Sequence, residues 1–154
     1  MIGILLVMNN PDIPCQDALT FKELRNSVYM DCATAVFIGS YSVNYERVIV
    51  NSNHYKLNIN AGFGGWYYWS VDFGYRGGSI PLSLNNLIGS GNNYFETDLG
   101  LRYTFMSKLS DKERFRYFPI VNFGYRYQRP DGEGLIARLF IGFSGFGIGF
   151  GKAF

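Results

Sequence analysis

The sequence predicts an all-β chain, folded as one closed barrel of eight antiparallel, up-and-down strands around a filled polar lumen. Two observations carry this. Large apolar residues alternate with polar residues or glycine along most of the chain from Asn26 to Phe154, and short turn signals divide that stretch into eight runs. Period two is the mark of a β-strand, because successive side chains point to opposite faces of the sheet. Composition agrees: 14 Phe, 12 Tyr, 2 Trp and 19 Gly favour strands with close backbone approaches over helical bundles.

The first run is Ser27–Val36 and the second Ser40–Val50, in which Tyr41, Val43 and Tyr45 alternate with Ser42, Asn44 and Glu46. After "NSN" (Asn51 to Asn53), a tight-turn signal, the third run is His54–Gly65. It sets Tyr55, Leu57, Ile59, Ala61 and Phe63 against His54, Lys56, Asn58, Asn60, Gly62 and Gly64. Trp66 to Gly78 reads as a long aromatic, glycine-rich loop. The fourth run, "SIPLSLNNLI" (Ser79 to Ile88), opposes Ile80, Leu82 and Leu84 to Ser83 and Asn85. Past "GSGNN", the fifth run, Tyr94–Phe105, places Phe95, Leu99, Leu101, Tyr103 and Phe105 against Glu96, Asp98, Gly100, Arg102 and Thr104.

The charged stretch Ser107 to Arg114 leads into the sixth run, where Val121, Phe123, Tyr125 and Tyr127 oppose Asn122, Gly124, Arg126 and Gln128. The "RPDGEG" turn precedes the seventh, with Leu135, Ala137, Leu139 and Ile141 against Gly134, Arg138 and Gly142. The eighth is the terminal "GFSGFGIGFGKAF", with Phe146, Ile148 and Phe150 on one face and Gly145, Gly147, Gly149 and Gly151 on the other. Pro81 and Pro119 lack the donor a ladder needs and read as strand starts or bulges. Connections two, four and six are short and three and five longer, so both termini fall at the short-turn end.

The two faces decide what lies on each side. An eight-stranded barrel has an interior only just wide enough for side chains to fill. The aromatic face is too bulky for it; the glycine-rich face fits. Charge then lies inside, as a lumen network of Asp31, Glu46, Glu96, Asp98, Arg102, Arg126 and Arg138. Four acids and three arginines there have to pair, since isolated buried charge is very costly. In eight strands they form a salt-bridged plug rather than an open pore. A closed barrel also leaves no unpaired backbone edge in hydrocarbon. A transmembrane barrel is therefore expected, with Tyr45, Tyr55, Tyr94, Tyr125, Tyr127 and Phe154 near one interface and Trp66, Tyr67, Tyr68, Trp69 and Tyr75 near the other. A soluble lipocalin-like carrier would reverse the faces.

The remainder of the chain narrows the chemistry. Lys and Arg (14) nearly balance Asp and Glu (12), which gives no pull toward nucleic acid. Cys15 and Cys32 sit in unlike surroundings and imply no disulfide. With His54 the single histidine, no metal site or cofactor is expected. No stretch reaches the ~20 apolar residues of a spanning helix. "IGILLVM" (Ile2 to Met8) has the length of an export-signal core without its charged leader. Residues 1–25 are therefore expected to be an export-signal remnant or a mobile N-terminal segment, and 26–154 the barrel.

"YSVNYERV" (Tyr41 to Val48), "IPLSLNNLIGSGNNYFETDLGL" (Ile80 to Leu101), "NFGYRYQRPDGEGLIAR" (Asn122 to Arg138) and the terminal "GFGIGFGKAF" resemble small outer-membrane β-barrel proteins of Gram-negative bacteria. They are most similar to uncharacterised barrels common in Bacteroidetes. The resemblance covers most of residues 26–154 and implies an outer-membrane location, with the lipid bilayer and lipopolysaccharide as surroundings. It implies no particular activity. Phe154 resembles the C-terminal signal read by the barrel-assembly machinery, whereas Lys152, two residues earlier, departs from that pattern.

The expected role is structural or interaction-based, with a protein partner in the outer membrane and the loop residues Trp66, Tyr67, Tyr68, Trp69 and Tyr75 as the candidate interaction surface. The alternative is lipid A acyl chemistry, for which His54 is the one candidate base, with Ser52 and Glu46 nearby in sequence.

Overall fold

The computed structural model describes residues 25–69, 74–106, 117–129 and 134–154. Eight antiparallel strands close into one barrel in chain order: β1 (Asn26–Thr34), β2 (Ile38–Asn51), β3 (Tyr55–Trp69), β4 (Gly74–Ser90), β5 (Asn93–Met106), β6 (Tyr117–Gln128), β7 (Leu135–Gly142) and β8 (Gly145–Ala153). β8 pairs with β1, and at that seam the Asn26 N–H donates to the Phe154 carbonyl at 3.1 Å while the Phe154 N–H donates back to Asn26 at 2.7 Å. The export-signal reading of residues 1–24 and the charged stretch 107–114 lie outside the described residues.

The registers fix the barrel's shape. Followed across the ladders, Ser27 leads to Glu46, Asn60, Ser83, Gly100 and Ile120. Continued along the remaining registers, the path returns to the line of β1 at residue 37, a stagger of ten residues. Eight strands with that stagger tilt by about 40° and enclose a backbone cylinder of radius about 8 Å, with each residue adding about 2.5 Å of height. Such a cylinder holds one layer of side chains from each wall and nothing more.

The alternation places every large apolar face outside. Phe63, Leu82, Leu101, Ile141, Phe146 and Phe150 are each more than half exposed, whereas Ser42, Asn44, Glu46, Asn58, Asn85, Glu96, Asp98, Arg126 and Arg138 are buried in the lumen. This is the reverse of a water-soluble carrier barrel. The terminal glycines make the interior possible. A Cβ at Gly147 would lie 2.2 Å from the Phe140 ring, and one at Gly149 would lie 2.1 Å from Asp31 Oδ1 and 2.8 Å from Arg138 Cγ.

Three expectations are corrected. The aromatic loop is largely strand: Trp66, Tyr67, Tyr68 and Trp69 end β3, Tyr75 lies in β4, and Tyr68 pairs with Tyr75. Trp66 points inward and is buried. Pro81 is neither a strand start nor a bulge. It lies mid-strand opposite Arg102, and the β3–β4 ladder skips Gly62 and Phe63 opposite Ile80 and Pro81 without changing register. Its missing donor therefore faces β3. Pro119 pairs with Leu101, and its missing donor falls on the β7 side, where β7 has already ended. Tyr94, expected among the interface aromatics of the short-turn end, is buried inside.

The lower rim, carrying the short turns and the seam, is nearly level. The upper rim slopes. β3, β4 and β5 run 15, 17 and 14 residues while β7, β8 and β1 run 8, 9 and 9, so the wall at the β7–β8 turn stands roughly 10–15 Å lower than at β3–β5.

Candidate functional site

The lumen is built from two arginines on neighbouring strands, Arg126 of β6 and Arg138 of β7, paired in register and both buried. Arg126 donates from both terminal nitrogens to Glu46, at 2.9 Å to Oε2 and 2.7 Å to Oε1, the fork geometry that matches guanidinium to carboxylate. Glu46 also accepts from Ser27 Oγ at 3.0 Å. Arg138 reaches three acids. Its Nε donates to Glu96 Oε2 at 3.1 Å and its Nη1 to Asp31 Oδ2 at 3.0 Å, while Nη2 lies 2.8 Å from Glu96 Oε1 and 4.0 Å from Asp98 Oδ2. Glu96 joins the two halves, since Oε1 is also 3.7 Å from Arg126 Nη1.

Amides add to the acids' shells. Asn44 donates to Asp31 at 3.2 Å, Asn122 to Asp98 at 3.3 Å, and Asn85 to Glu96. Tyr29 lies against both guanidinium groups, its ring centroid 4.6 Å from Arg138 Cζ and 5.7 Å from that of Arg126. Below this layer Leu87, Ile136 and Tyr94 fill the cylinder, with Lys56 Nζ 5.0 Å from the Tyr94 ring centroid. The bonds tie β1, β2, β5, β6 and β7 together across the barrel. This ion-paired layer on a floor of apolar side chains fills the lumen like a stopper.

Six of the seven charged residues expected in the lumen come together: Asp31, Glu46, Glu96, Asp98, Arg126 and Arg138. Arg102 stands apart. Two residues from each of Gly100 and Thr104 along β5, it lies higher in the barrel, and among the described residues no carboxylate is within 4 Å of it. Tyr29, Asn44, Asn85 and Asn122 belong to the network and were not singled out from sequence. Strand parity is the signal that finds them: Tyr29 shares that of Asp31, Asn44 that of Glu46, Asn122 that of Arg126 and Asn85 that of Ser83.

The supposed His54, Ser52 and Glu46 constellation does not assemble. His54 is exposed in the β2–β3 turn, outside the strand it was expected to begin and not facing the lumen, while Glu46 is held inside by Arg126.

The outer surface carries two aromatic belts. The upper one comprises Phe37, Tyr67, Trp69, Tyr103, Phe105 and Tyr117, with Tyr103 and Tyr117 in contact at 5.5 Å between centroids. The lower comprises Tyr45, Tyr55, Phe95, Tyr125, Tyr127 and Phe154. Three of its tyrosines share one device: each hydroxyl donates to an asparagine diagonally across the ladder, Tyr45 to Asn26, Tyr55 to Asn86 and Tyr125 to Asn93. From the stagger and tilt the belts are centred about 24 Å apart. Among the described residues no charged side chain points outward between them; Arg47 and Lys152 lie at the lower belt and Arg76 at the upper.

No family model matches the chain, and no curated protein matches it. Among solved structures the chain is similar to the backbone structure of the Yersinia pestis outer membrane protein Ail in phospholipid bilayer nanodiscs. The identity is 11%, over 86% of this chain and 100% of that one, with a TM-score of 0.47.

Proposed function

We propose that this protein is an integral barrel of the Gram-negative outer membrane, closed to ions by its lumen network and serving a structural or interaction role. The observation that carries the reading is the pair of aromatic belts, about 24 Å apart, bounding a wall that carries no outward charge among the described residues; outer-membrane barrels present an apolar band of about 25 Å between such girdles. Tyr and Trp suit those boundaries because one end of each ring system is polar.

In this setting the outer wall meets the bilayer and lipopolysaccharide, and Phe154 serves as the tag for the barrel-assembly machinery. The β3–β4 hairpin, with Trp69 and Arg76 exposed at the upper belt, is the surface offered to a protein partner within a larger envelope complex.

The test is fractionation of cells expressing the export-competent gene, followed by denaturing electrophoresis with and without boiling. Recovery in the outer membrane with a heat-dependent mobility change supports the reading. Recovery as soluble protein overturns it.

A further inference from the structure

We propose that the lower outer wall carries a binding site for the headgroup phosphate of an anionic phospholipid, held between Arg47 and Lys152 across the β8–β1 seam. The site rests on the outer-membrane placement proposed above and names one lipid position within it.

The registers bring the two cations together. On the outer face Arg47 of β2 stands beside Asn26 of β1, and Asn26 stands beside Phe154. Lys152 lies two residues up β8 from Phe154, also facing outward. Two strand spacings and two residues of rise put the Cα atoms of Arg47 and Lys152 about 12 Å apart. Side chains of this length close such a span onto one group between them, their apolar stems lying along the wall. Asn26 occupies the middle. Its Oδ1 accepts from the Tyr45 hydroxyl at 2.7 Å, so the NH2 is the end of the amide left to offer. Guanidinium, ammonium and amide then all present donors.

No acid answers them. Both cations are exposed, and among the described residues no carboxylate lies within 4 Å of either. The acids of the described strands, Asp31, Glu46, Glu96 and Asp98, are all engaged in the lumen. Nor are the cations scattered. At the height of the lower belt the outward strand positions of β3 to β7 carry Tyr55, Asn86, Phe95, Tyr125 and Leu135 and no charge, so both outward charges of the belt's strands fall on three adjacent ones.

Height decides the ligand. A cation in open water needs no partner, whereas one in line with the interface aromatics faces the layer of lipid headgroups. Arginine matches phosphate oxygens with its fork, and lysine adds a point charge. Immediately above, Val28, Met30 and Phe150 are exposed and give the attached acyl chains an apolar bed. Two cations facing one phosphate select a headgroup without an ammonium of its own, so phosphatidylglycerol is bound in preference to phosphatidylcholine.

The full chain, folded in nonionic detergent and verified by its heat-dependent mobility, is titrated with each of these two lipids, and the lipid retained is counted by native mass spectrometry. One phosphatidylglycerol should bind at least about fivefold more tightly than phosphatidylcholine. Arg47→Gln combined with Lys152→Gln should remove that preference, and each single substitution should weaken it. Arg76→Gln, which removes the outward cation of the upper belt, should leave it intact. Should the double variant fail to fold, the two single variants carry the test. Equal binding of the two lipids by the parent, a preference that survives the substitutions at Arg47 and Lys152, or one lost equally with Arg76→Gln overturns the site. A chain recovered in the outer membrane that gives any of these results fails the site alone; recovery as soluble protein fails the placement.

Discussion

Replacing Arg126 by Met tests whether the stopper is held by paired charge or only by shape. The substitution removes both forked bonds to Glu46 and leaves that carboxylate, 2% exposed, with Ser27 as its remaining hydrogen-bond partner. Glu96 keeps Arg138 at 2.8 Å and is less affected. Removing one partner of a buried pair costs about 3–5 kcal/mol, and at 1.4 kcal/mol per tenfold that is a loss of roughly two to three and a half powers of ten in the folding equilibrium. The double change Glu46→Leu with Arg126→Met removes both charges at once. It should return to within about 1 kcal/mol of the parent, because apolar pairs of similar volume replace buried ion pairs with little penalty. Urea unfolding in lipid vesicles, followed by tryptophan emission and by the boiling-sensitive band, gives the three stabilities. A single variant within about 1 kcal/mol of the parent, or a double variant no better than the single one, would refute the reasoning.

Gly149→Ala should destabilise the barrel by about 1–3 kcal/mol in the same assay, because the added Cβ displaces both Asp31 and the stem of Arg138; Ile148→Leu, its outward neighbour, should change stability by less than about 0.5 kcal/mol. Phe154→Ala should refold in detergent like the parent, since the seam bonds are from backbone, yet accumulate less in the outer membrane of cells; equal accumulation removes the tag assignment. In planar bilayers the folded protein should show no stepwise ion current, and a steady unitary conductance would mean that the stopper is not closed.

Much of this was legible from alternation alone, because a barrel this narrow permits only one answer about which face is inside. Parity sorted Glu96, Asp98 and Arg102 from Leu99 and Leu101, and glycine against Phe146, Ile148 and Phe150 marked β8. Parity carries no height, however. Nothing in the run Glu96 to Arg102 reveals that the tilt lifts Arg102 clear of the arginine pair. Alternation also fails where both faces are aromatic: Trp66 to Trp69 has large rings inside and out, so its strand reads as a loop. Tyr29 was hidden for the opposite reason, an aromatic ring placed inside because two guanidinium groups offer it a better partner than hydrocarbon.

The sloping upper rim has a mechanical consequence for the surroundings. In the bilayer proposed for this barrel, if of even thickness, the β3–β5 side offers more wall than the acyl chains need and the β7–β8 side offers less. Mismatch of this kind costs fractions of a kcal/mol per Å, and lipids answer it by thinning beside the short wall or by letting the barrel lean. Either response breaks the cylinder's symmetry and gives it a preferred azimuth, with a ring of lipid that is compressed along one side only. In the proposed membrane setting, that side is where neighbouring proteins favouring thin membrane would gather.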